Sequence, residues 1–240
     1  MSIQAQVVKD IGSIEPGKMF TYQILSAWKT SPDSTVKAMS RLVKAGKIRR
    51  FSKGVFYRPK QGVLGEVHPA DDEKIRLYLY EGEKRVGYIT GLSLYNRMGL
   101  TTQLPKTVTI ATEKARQKKK LGNIDLNLIP SKAPVSGPNK TYLEVLDALS
   151  DIKNIPDSQP SEILTLLSQK LDCLDDASIG TLVQLAKAYY PPATKALLGL
   201  ILDSKEDENS RVLAEDLNPT THYKIGLQGQ WEKARKWKIV

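Results

Sequence analysis

Apolar residues recur at helical spacing in the first part of the chain and predict three helices there. The first covers residues 2–11, and a second follows the staple and cap offered by Met19, Phe20 and Thr21. A third begins at Ser31, where Ser suits the cap, the following Pro the first helical position and Asp the first turn. We expect this third helix to end at Gly46, because glycine readily takes positive φ. Its predicted apolar face consists of Val36, Met39, Leu42 and Val43.

Two short strands are predicted next, over residues 47–51 and 55–58, with a turn at residues 52–54. This order of helices followed by a basic hairpin predicts a winged helix-turn-helix. The outward face of the third helix combines short polar and cationic side chains, which suits the major groove of DNA. We expect four of its residues nearest the base edges: Ser34, Thr35, Lys37 and Arg41. We expect four further cations to bind phosphates: Lys44, Arg49, Arg50 and Lys53.

Glycine- and proline-containing stretches with little periodicity predict linkers at residues 61–69 and 131–140. They divide the chain into a winged-helix domain at residues 1–60, a small α/β domain at 70–130 and a mostly helical domain at 141–240. The predicted fold class is therefore α+β.

Within the middle domain, acids at residues 71–73 favour a helix, although the alternation over residues 75–80 also fits a strand. Further strands are predicted at residues 85–89, 107–111 and 124–129, and a helix at 90–98. In the last domain, apolar spacing predicts helices at residues 142–149, 160–171, 177–189 and 194–202, followed by a polar loop at 205–209. Near the C-terminus, Trp231 and Trp237 stand among lysines, and we expect this segment to dock on its own domain rather than on a membrane or nucleic acid.

Charge is unevenly distributed in this chain of net charge +10. Residues 1–60 hold 12 Lys and Arg against 3 Asp and Glu, whereas residues 141–240 hold 11 against 15. This asymmetry indicates that the N-terminal part of the chain contacts a polyanion and that the C-terminal part has a different function. A basic segment at residues 113–120 is either a solvated loop or helix face, or a supplementary contact to DNA phosphates or to RNA. Its cations are Lys114, Arg116, Lys118, Lys119 and Lys120.

Residue types that support catalysis or metal binding are sparse. Cys173 stands beside acids that disfavour a thiolate, and His68 and His222 have no Cys or Asp at ligand spacing. Residues 12–19 approach a phosphate-binding loop, but Met19 replaces the required Ser or Thr and Pro16 removes a backbone donor. We therefore expect no enzyme, cofactor or metal site. One cysteine, no apolar leader and no apolar run of about 18 residues predict a cytoplasmic protein without membrane contact.

Two motifs in the middle of the chain carry a family resemblance: Tyr88-Ile89-Thr90-Gly91 and, further on, Asn96-Arg97-Met98-Gly99-Leu100-Thr101-Thr102-Gln103-Leu104-Pro105. Together with the basic winged helix before them, they resemble the AbiEi family of antitoxins from bacterial abortive-infection, type IV toxin–antitoxin systems. The resemblance covers about residues 1–130. The second motif also has a simpler interpretation, because Gly91 and Gly99 can bound a helix whose leucines belong to a core.

The resemblance implies an antitoxin that neutralises a nucleotidyltransferase toxin of the AbiEii type, without requiring a stable complex with it. It also implies repression of the shared operon through inverted repeats in the promoter. Binding of double-stranded DNA at such repeats requires two copies of the chain, as a dimer or as cooperating monomers. Two alternatives stay open: a winged-helix transcriptional regulator without a toxin partner, and a protein that binds structured RNA.

Overall fold

The computed structural model describes residues 2–63, 65–227, 229 and 231–240. The architecture is mixed α+β, with helices and several small sheets. The chain divides into two compact units, residues 1–86 and residues 87–240. Each unit is built around its own hydrophobic cluster of buried side chains.

The first unit contains short elements. Its α-helices are α1 (Ile3–Ser13), α2 (Ser26–Thr30), α3 (Pro32–Lys44) and α4 (Asp71–Leu79), with a 3-10 turn at Tyr22–Ile24. Its strands are β1 (Met19–Thr21), β2 (Arg49–Ser52), β3 (Val55–Tyr57), β4 (Lys60–Gly62), β5 (Gly65–Val67), β6 (Tyr80–Glu81) and β7 (Lys84–Arg85). Strands β1, β3 and β2 form a sheet in that order, with β3 antiparallel to both neighbours. The other four strands form the hairpins β4–β5 and β6–β7.

Helix α3 begins and ends where the sequence predicts. Pro32 occupies the first turn, and Asp33 places an acid there, which favours the positive end of the helix dipole. At the other end, Gly46 has φ +71°. Its N–H bonds the Val43 carbonyl at 3.0 Å, and the Lys47 N–H bonds the Leu42 carbonyl at 3.1 Å. This is the Schellman arrangement, in which carbonyls of the last turn find donors beyond the helix.

The helix predicted after Met19 begins later than expected. Residues Met19–Thr21 form strand β1, because Phe20 and its neighbours pair with Phe56 and its neighbours across the sheet. A 3-10 turn follows, and α2 begins only at Ser26. Phe20 and Phe56 are both buried, with ring centroids 6.1 Å apart, so this pairing carries apolar packing that a helix at this position would lose.

The second unit combines one sheet with a group of longer helices. Its strands are β8 (Gly87–Thr90), β9 (Thr107–Thr112), β10 (Gln117–Leu121) and β11 (Ile124–Pro130). Its helices are α5 (Leu92–Arg97), α6 (Lys140–Ser150), α7 (Pro160–Leu171), α8 (Asp176–Tyr189), α9 (Pro192–Ser204) and α10 (Asn209–Ala214), with a 3-10 turn at Glu232–Arg235. The sheet order is β10–β11–β9–β8, with β11 and β9 parallel and the outer pairs antiparallel.

The two units differ from the three domains predicted by the sequence. Residues 133 and 135, in the expected second linker, are buried in the same hydrophobic cluster as Tyr88 and the leucines of α6 to α9. The sheet and the C-terminal helices therefore share one core. Helix α4 belongs to the first unit, and the expected first linker holds the β4–β5 hairpin. The helix α10 was not expected, because its short sequence follows a polar charged stretch.

The C-terminal segment docks on its own unit, as predicted. Trp237 is buried, and its indole N–H bonds the Asp203 carboxylate at 3.0 Å. Lys236 contacts the same carboxylate at 2.7 Å. The tryptophan ring lies against Gly199 of α9, where an added Cβ would overlap it. In the part of the chain that the structure describes, no helix combines the length and apolar character needed to cross a membrane.

Candidate nucleic-acid interface

Helix α3 presents a polar and cationic face to solvent. Lys37, Arg41 and Lys44 are exposed and lie in one row, since residues three or four apart share a helix face. Ser34 and Ser40 are exposed beside them. The opposite side of α3 packs in the core of the first unit, so packing holds the row of cations pointing outward.

The structure corrects the position of Thr35. Its side chain has 0% exposure, and its hydroxyl donates to the Ser31 carbonyl at 2.8 Å, so it does not reach a base edge. The buried stripe runs through Thr35, Ala38, Met39 and Leu42, at spacings of three, one and three residues. Val36, expected inside, is 38% exposed. Burial of this threonine is tolerated because its hydroxyl donates a hydrogen bond to the carbonyl four residues earlier.

Arg41 is held against the first helix of the unit. One guanidinium nitrogen, Nη1, donates to Oε1 of Gln4 at 3.0 Å. A guanidinium has five N–H donors in a planar fork, so this one bond orients the group and leaves donors for a base or a phosphate. Gln4 was not predicted from the sequence, because an exposed glutamine on α1 belongs to no motif.

The β2–β3 hairpin carries three more of the expected cations: Arg49, Arg50 and Lys53. Lys53 and Gly54 form its turn, and Gly54 has φ +76°. Such a backbone conformation favours glycine. Arg50 is exposed, and its Nε donates to the Ser52 carbonyl at 3.3 Å, which turns the side chain along the hairpin. Lys53 is exposed at the tip.

Arg49 has an internal partner. Its Nη2 lies 2.9 Å from Oε2 of Glu66 on β5, and its Nε bonds the same carboxylate. The Tyr57 hydroxyl also donates to Glu66 at 3.2 Å, and His68 lies 3.3 Å from that hydroxyl. The expected phosphate contact of Arg49 therefore competes with a carboxylate of the same unit. Glu66 is the only acid between Asp33 and Asp71, and this isolation was a signal available in the sequence.

The Arg49–Glu66 pair shifts the titration of its members. The hydrogen bond from Arg49 holds the pKa of the Glu66 carboxyl below its ordinary value, and the same bond raises the pKa of Arg49. Burial raises the pKa of Tyr57, with a smaller contribution from its bond to Glu66. The carboxylate is consequently charged throughout the neutral range and attracts Arg49 there.

The basic segment at residues 113–120 lies in the second unit. Lys114 and Arg116 are exposed between β9 and β10, and Lys118 and Lys120 are exposed on β10 itself. Lys119 is half-buried, on the other face of the strand. A strand was not predicted here, because lysine is depleted in strands. The strand forms because Leu121 is buried and β10 pairs with β11 along its length.

A buried carboxylate in the second unit was not anticipated. Asp147 on α6 accepts from the hydroxyls of Tyr88 at 2.9 Å, Thr90 at 2.7 Å and Tyr190 at 3.0 Å. The Nζ atom of Lys132 lies 3.4 Å from Oδ1 of Asp147. Burial raises the pKa of Tyr88 and Tyr190 well above the ordinary value, and the charge of Asp147 raises it further. These hydroxyls therefore stay protonated and donate to Asp147. Their hydrogen bonds connect the sheet to the helices, so the role of this carboxylate is structural.

Among the described residues, no group of three or more His, Cys, Asp or Glu side chains could hold a metal ion. Cys173 is exposed and free. The expected DNA-reading residues fall into two groups: those of α3 and those of the hairpin, all within the first unit.

A family model described as "Family of unknown function (DUF6088)" matches residues 6–173, which is more than half of the chain. Among curated proteins, no match was found. A solved structure to which the chain is similar is the RV2827C protein from Mycobacterium tuberculosis, at 14% sequence identity and a TM-score of 0.49. That comparison covers 99% of this chain and 90% of the mycobacterial chain.

Proposed function

We propose that this chain, which belongs to the DUF6088 family, binds duplex DNA through a winged helix-turn-helix formed by its first unit. In this proposal it represses its own operon at promoter inverted repeats and acts as the antitoxin of a nucleotidyltransferase toxin. The order α1, β1, α2, α3 and the β2–β3 hairpin, with β1 added to the outer side of β3, supports the winged helix-turn-helix. Helix α3 would be the recognition helix and the hairpin the wing.

One observation carries the DNA-binding proposal: the row of Lys37, Arg41 and Lys44 on the solvent side of a helix whose other side is packed. An α-helix with its side chains is about 10–12 Å across, close to the width of about 12 Å of the major groove. Arg41 suits a guanine edge, because its fork can bond two acceptors. Ser34 and Lys37 complete the proposed base contacts, without Thr35.

The phosphate contacts would come from Lys44, Arg50 and Lys53, with Arg49 joining them once it leaves Glu66. Contacts of this kind set the register of a protein on the duplex and weaken as salt rises. An inverted repeat presents two equivalent half-sites, so two copies of the chain would bind it.

Footprinting on the promoter of its own operon tests the DNA-binding proposal. The full chain should protect an inverted repeat, and the Arg41→Ala variant should lose protection of it at the same concentration. The Lys170→Ala variant removes an exposed charge from α7 and should protect normally. Failure of the wild-type chain to protect any part of the promoter would overturn the proposal.

The antitoxin role is supported by the resemblance of residues 88–105 to the AbiEi family and needs its own test. We expect a nucleotidyltransferase gene beside this one, and growth arrest by its product should be relieved when this chain is expressed with it. A neighbouring gene of that type whose toxicity persists in the presence of this chain would contradict the antitoxin role. Promoter binding without such a neighbour would instead favour a regulator that has no toxin partner.

A further inference from the structure

One face of the sheet in the second unit forms an open polar groove. Its volume is about 600 Å³, within the range of about 300–1,000 Å³ found for ligand sites. Three neighbouring strands, β10, β11 and β9, supply its lining. The described lining is polar or charged, with Lys119 beside Lys118 and Lys120, apart from Leu126, whose side chain is buried.

The strand register aligns the lining into two rows. Lys118 is paired with Asn127, which is paired with Thr109. Lys120 is paired with Asp125, which is paired with Thr107. Residues opposite one another across a sheet share a face, so each row places an ammonium group at the edge and a hydroxyl in the interior of the groove.

The other face of the same strands is apolar. Ile110, Leu121, Leu126 and Leu128 are buried. Alternation along the strands therefore turns these apolar side chains into the protein, while the intervening residues of the two rows face the groove. Packing fixes this register, because a slip of one residue would bury the lysines and expose the leucines.

Lysines on an edge strand also discourage pairing with another chain, so Lys118 and Lys120 alone do not indicate a ligand. Edge protection gives no reason for the polar floor, however. Thr109 and Asn127 lie on the inner strands β9 and β11 and add donors and acceptors beneath the lysines. The combination of two cations with amide and hydroxyl groups suits a ligand that carries both phosphates and hydrogen-bonding groups.

We propose that this groove binds a segment of single-stranded nucleic acid through its phosphodiester backbone. Lys118 and Lys120 are two residues apart on a strand, about 7 Å, which is comparable to the spacing of neighbouring phosphates along one strand. Three strands span only about 10 Å, too narrow to accept a duplex. Asn127 and Thr109 would contact sugars or base edges. The described lining contains no aromatic side chain, so binding should depend on charge rather than on base stacking.

Asp125 makes the two ends of the groove unequal in their attraction for phosphate. It is the one acid among the described lining residues and lies in register with Lys120. A phosphate there meets one cation and one anion, whereas a phosphate at Lys118 meets a cation beside neutral Asn127. The Lys118 end of the groove is therefore the stronger phosphate position, and removing the charge of Asp125 should strengthen binding.

Fluorescence anisotropy with labelled 12-mers of single-stranded RNA and single-stranded DNA tests the proposal in the full chain. The measurements are made in an Arg41→Ala/Lys44→Ala background, so that contacts of α3 do not contribute. We expect Lys118→Gln/Lys120→Gln to weaken binding about tenfold, and the slope of log K against log salt to fall by about 1.4, for two phosphate contacts at about 0.7 each. Asp125→Asn should strengthen binding severalfold.

The control is Lys153→Gln/Lys170→Gln, which removes the same charge from exposed positions outside the groove and should change affinity less than twofold. Thermal melts establish that every variant is folded. Equal losses in the groove and control variants, or no loss in the groove variant, would overturn the proposal, as would weaker binding by Asp125→Asn. The two oligonucleotides show whether RNA or DNA is preferred. Loss of promoter protection on Arg41→Ala is a separate result and leaves this outcome unaffected.

Discussion

The two units use their charged residues in different ways. In the first unit, the row of Lys37, Arg41 and Lys44 on α3 faces solvent. In the second unit, two buried or partly buried acids, Asp147 and Asp203, collect lysines and hydrogen-bond donors around them. Asp203 binds Lys236 and the indole of Trp237, and Asp147 collects three hydroxyls.

This difference indicates which charges serve the fold and which are available to a partner. A carboxylate enclosed by hydroxyls and lysines holds elements of the second unit together, and its loss leaves those donors without an acceptor. Exposed lysines and arginines on α3 contribute little to stability, since isolated surface charges have small effects. Substitution of an enclosed carboxylate of the second unit should therefore change folding, whereas substitutions of exposed cations on α3 should change binding.

The largest expected effect is on the buried carboxylate. Asp147→Ala leaves the hydroxyls of Tyr88, Thr90 and Tyr190 without their acceptor. We expect the free energy of unfolding to fall by about 3–5 kcal/mol, as when one partner is removed from a buried charged network. Urea denaturation measures it, with Asp125→Ala as an exposed control. A loss below about 1 kcal/mol would show that the network contributes little.

The contact between the C-terminal segment and α9 provides the next prediction. Gly199→Ala places a methyl group where the Trp237 ring lies, so the ring must move. We expect a loss of about 1–3 kcal/mol, typical of overpacking. The matched control is Gly180→Ala in α8, where an added Cβ meets nothing within 4 Å and should stabilise the helix by about 0.5–1 kcal/mol. Equal effects of the two substitutions in thermal melts would contradict this packing.

The smallest expected effect concerns Glu66. This acid of the first unit is paired with a cation of its own unit, as Asp147 and Asp203 are in the second unit. Glu66→Gln should release Arg49 and strengthen promoter binding a few-fold at neutral pH, measured by anisotropy. Arg49→Ala should weaken binding to all sequences alike and flatten its salt dependence. If Glu66→Gln weakens binding instead, the pair orients Arg49 rather than withholding it.

The Arg49–Glu66 pair should also make the stability of the protein depend on pH. The hydrogen bond from Arg49 depresses the pKa of Glu66 in the folded state, so the stabilisation from this pairing is fully present above the pKa of the unfolded state. It is lost as pH falls through the lower folded value. Melting temperatures from pH 7 to pH 3 should fall less for Glu66→Gln than for the wild-type chain. Parallel pH profiles for the two proteins would contradict the assignment.

Sequence patterns succeeded where one signal dominated. Pro32, Asp33 and Gly46 located both ends of α3, and stretches rich in Val, Ile, Thr and Leu located β9 and β11. The face of α3 that is buried was harder to predict. Val36 is more apolar than Thr35, yet Thr35 is the buried residue of the two. A buried threonine is possible only with its hydroxyl satisfied, and the bond to Ser31 is visible only in three dimensions.

The candidate site was only partly predictable for a related reason. The exposed cations of α3 and the hairpin follow from composition and spacing. Their internal partners do not: Gln4 is 37 residues from Arg41, and Glu66 is 17 residues from Arg49. The groove of the second unit likewise depends on the pairing of Lys118 with Asn127, which alternation alone does not specify. Long-range pairing of this kind depends on how the whole unit packs.

The most direct test of the central claim is the dissociation constant for the operator of a variant altered only on the α3 row. Lys37→Ala/Arg41→Ala should raise that constant by at least about tenfold, since loss of one base-reading side chain costs about 1–3 kcal/mol. Its melting temperature should match that of the wild-type chain. The charge-matched variant Lys153→Ala/Lys170→Ala should bind normally. Unchanged operator affinity in the α3 variant, or an equal loss in the control, would contradict the account.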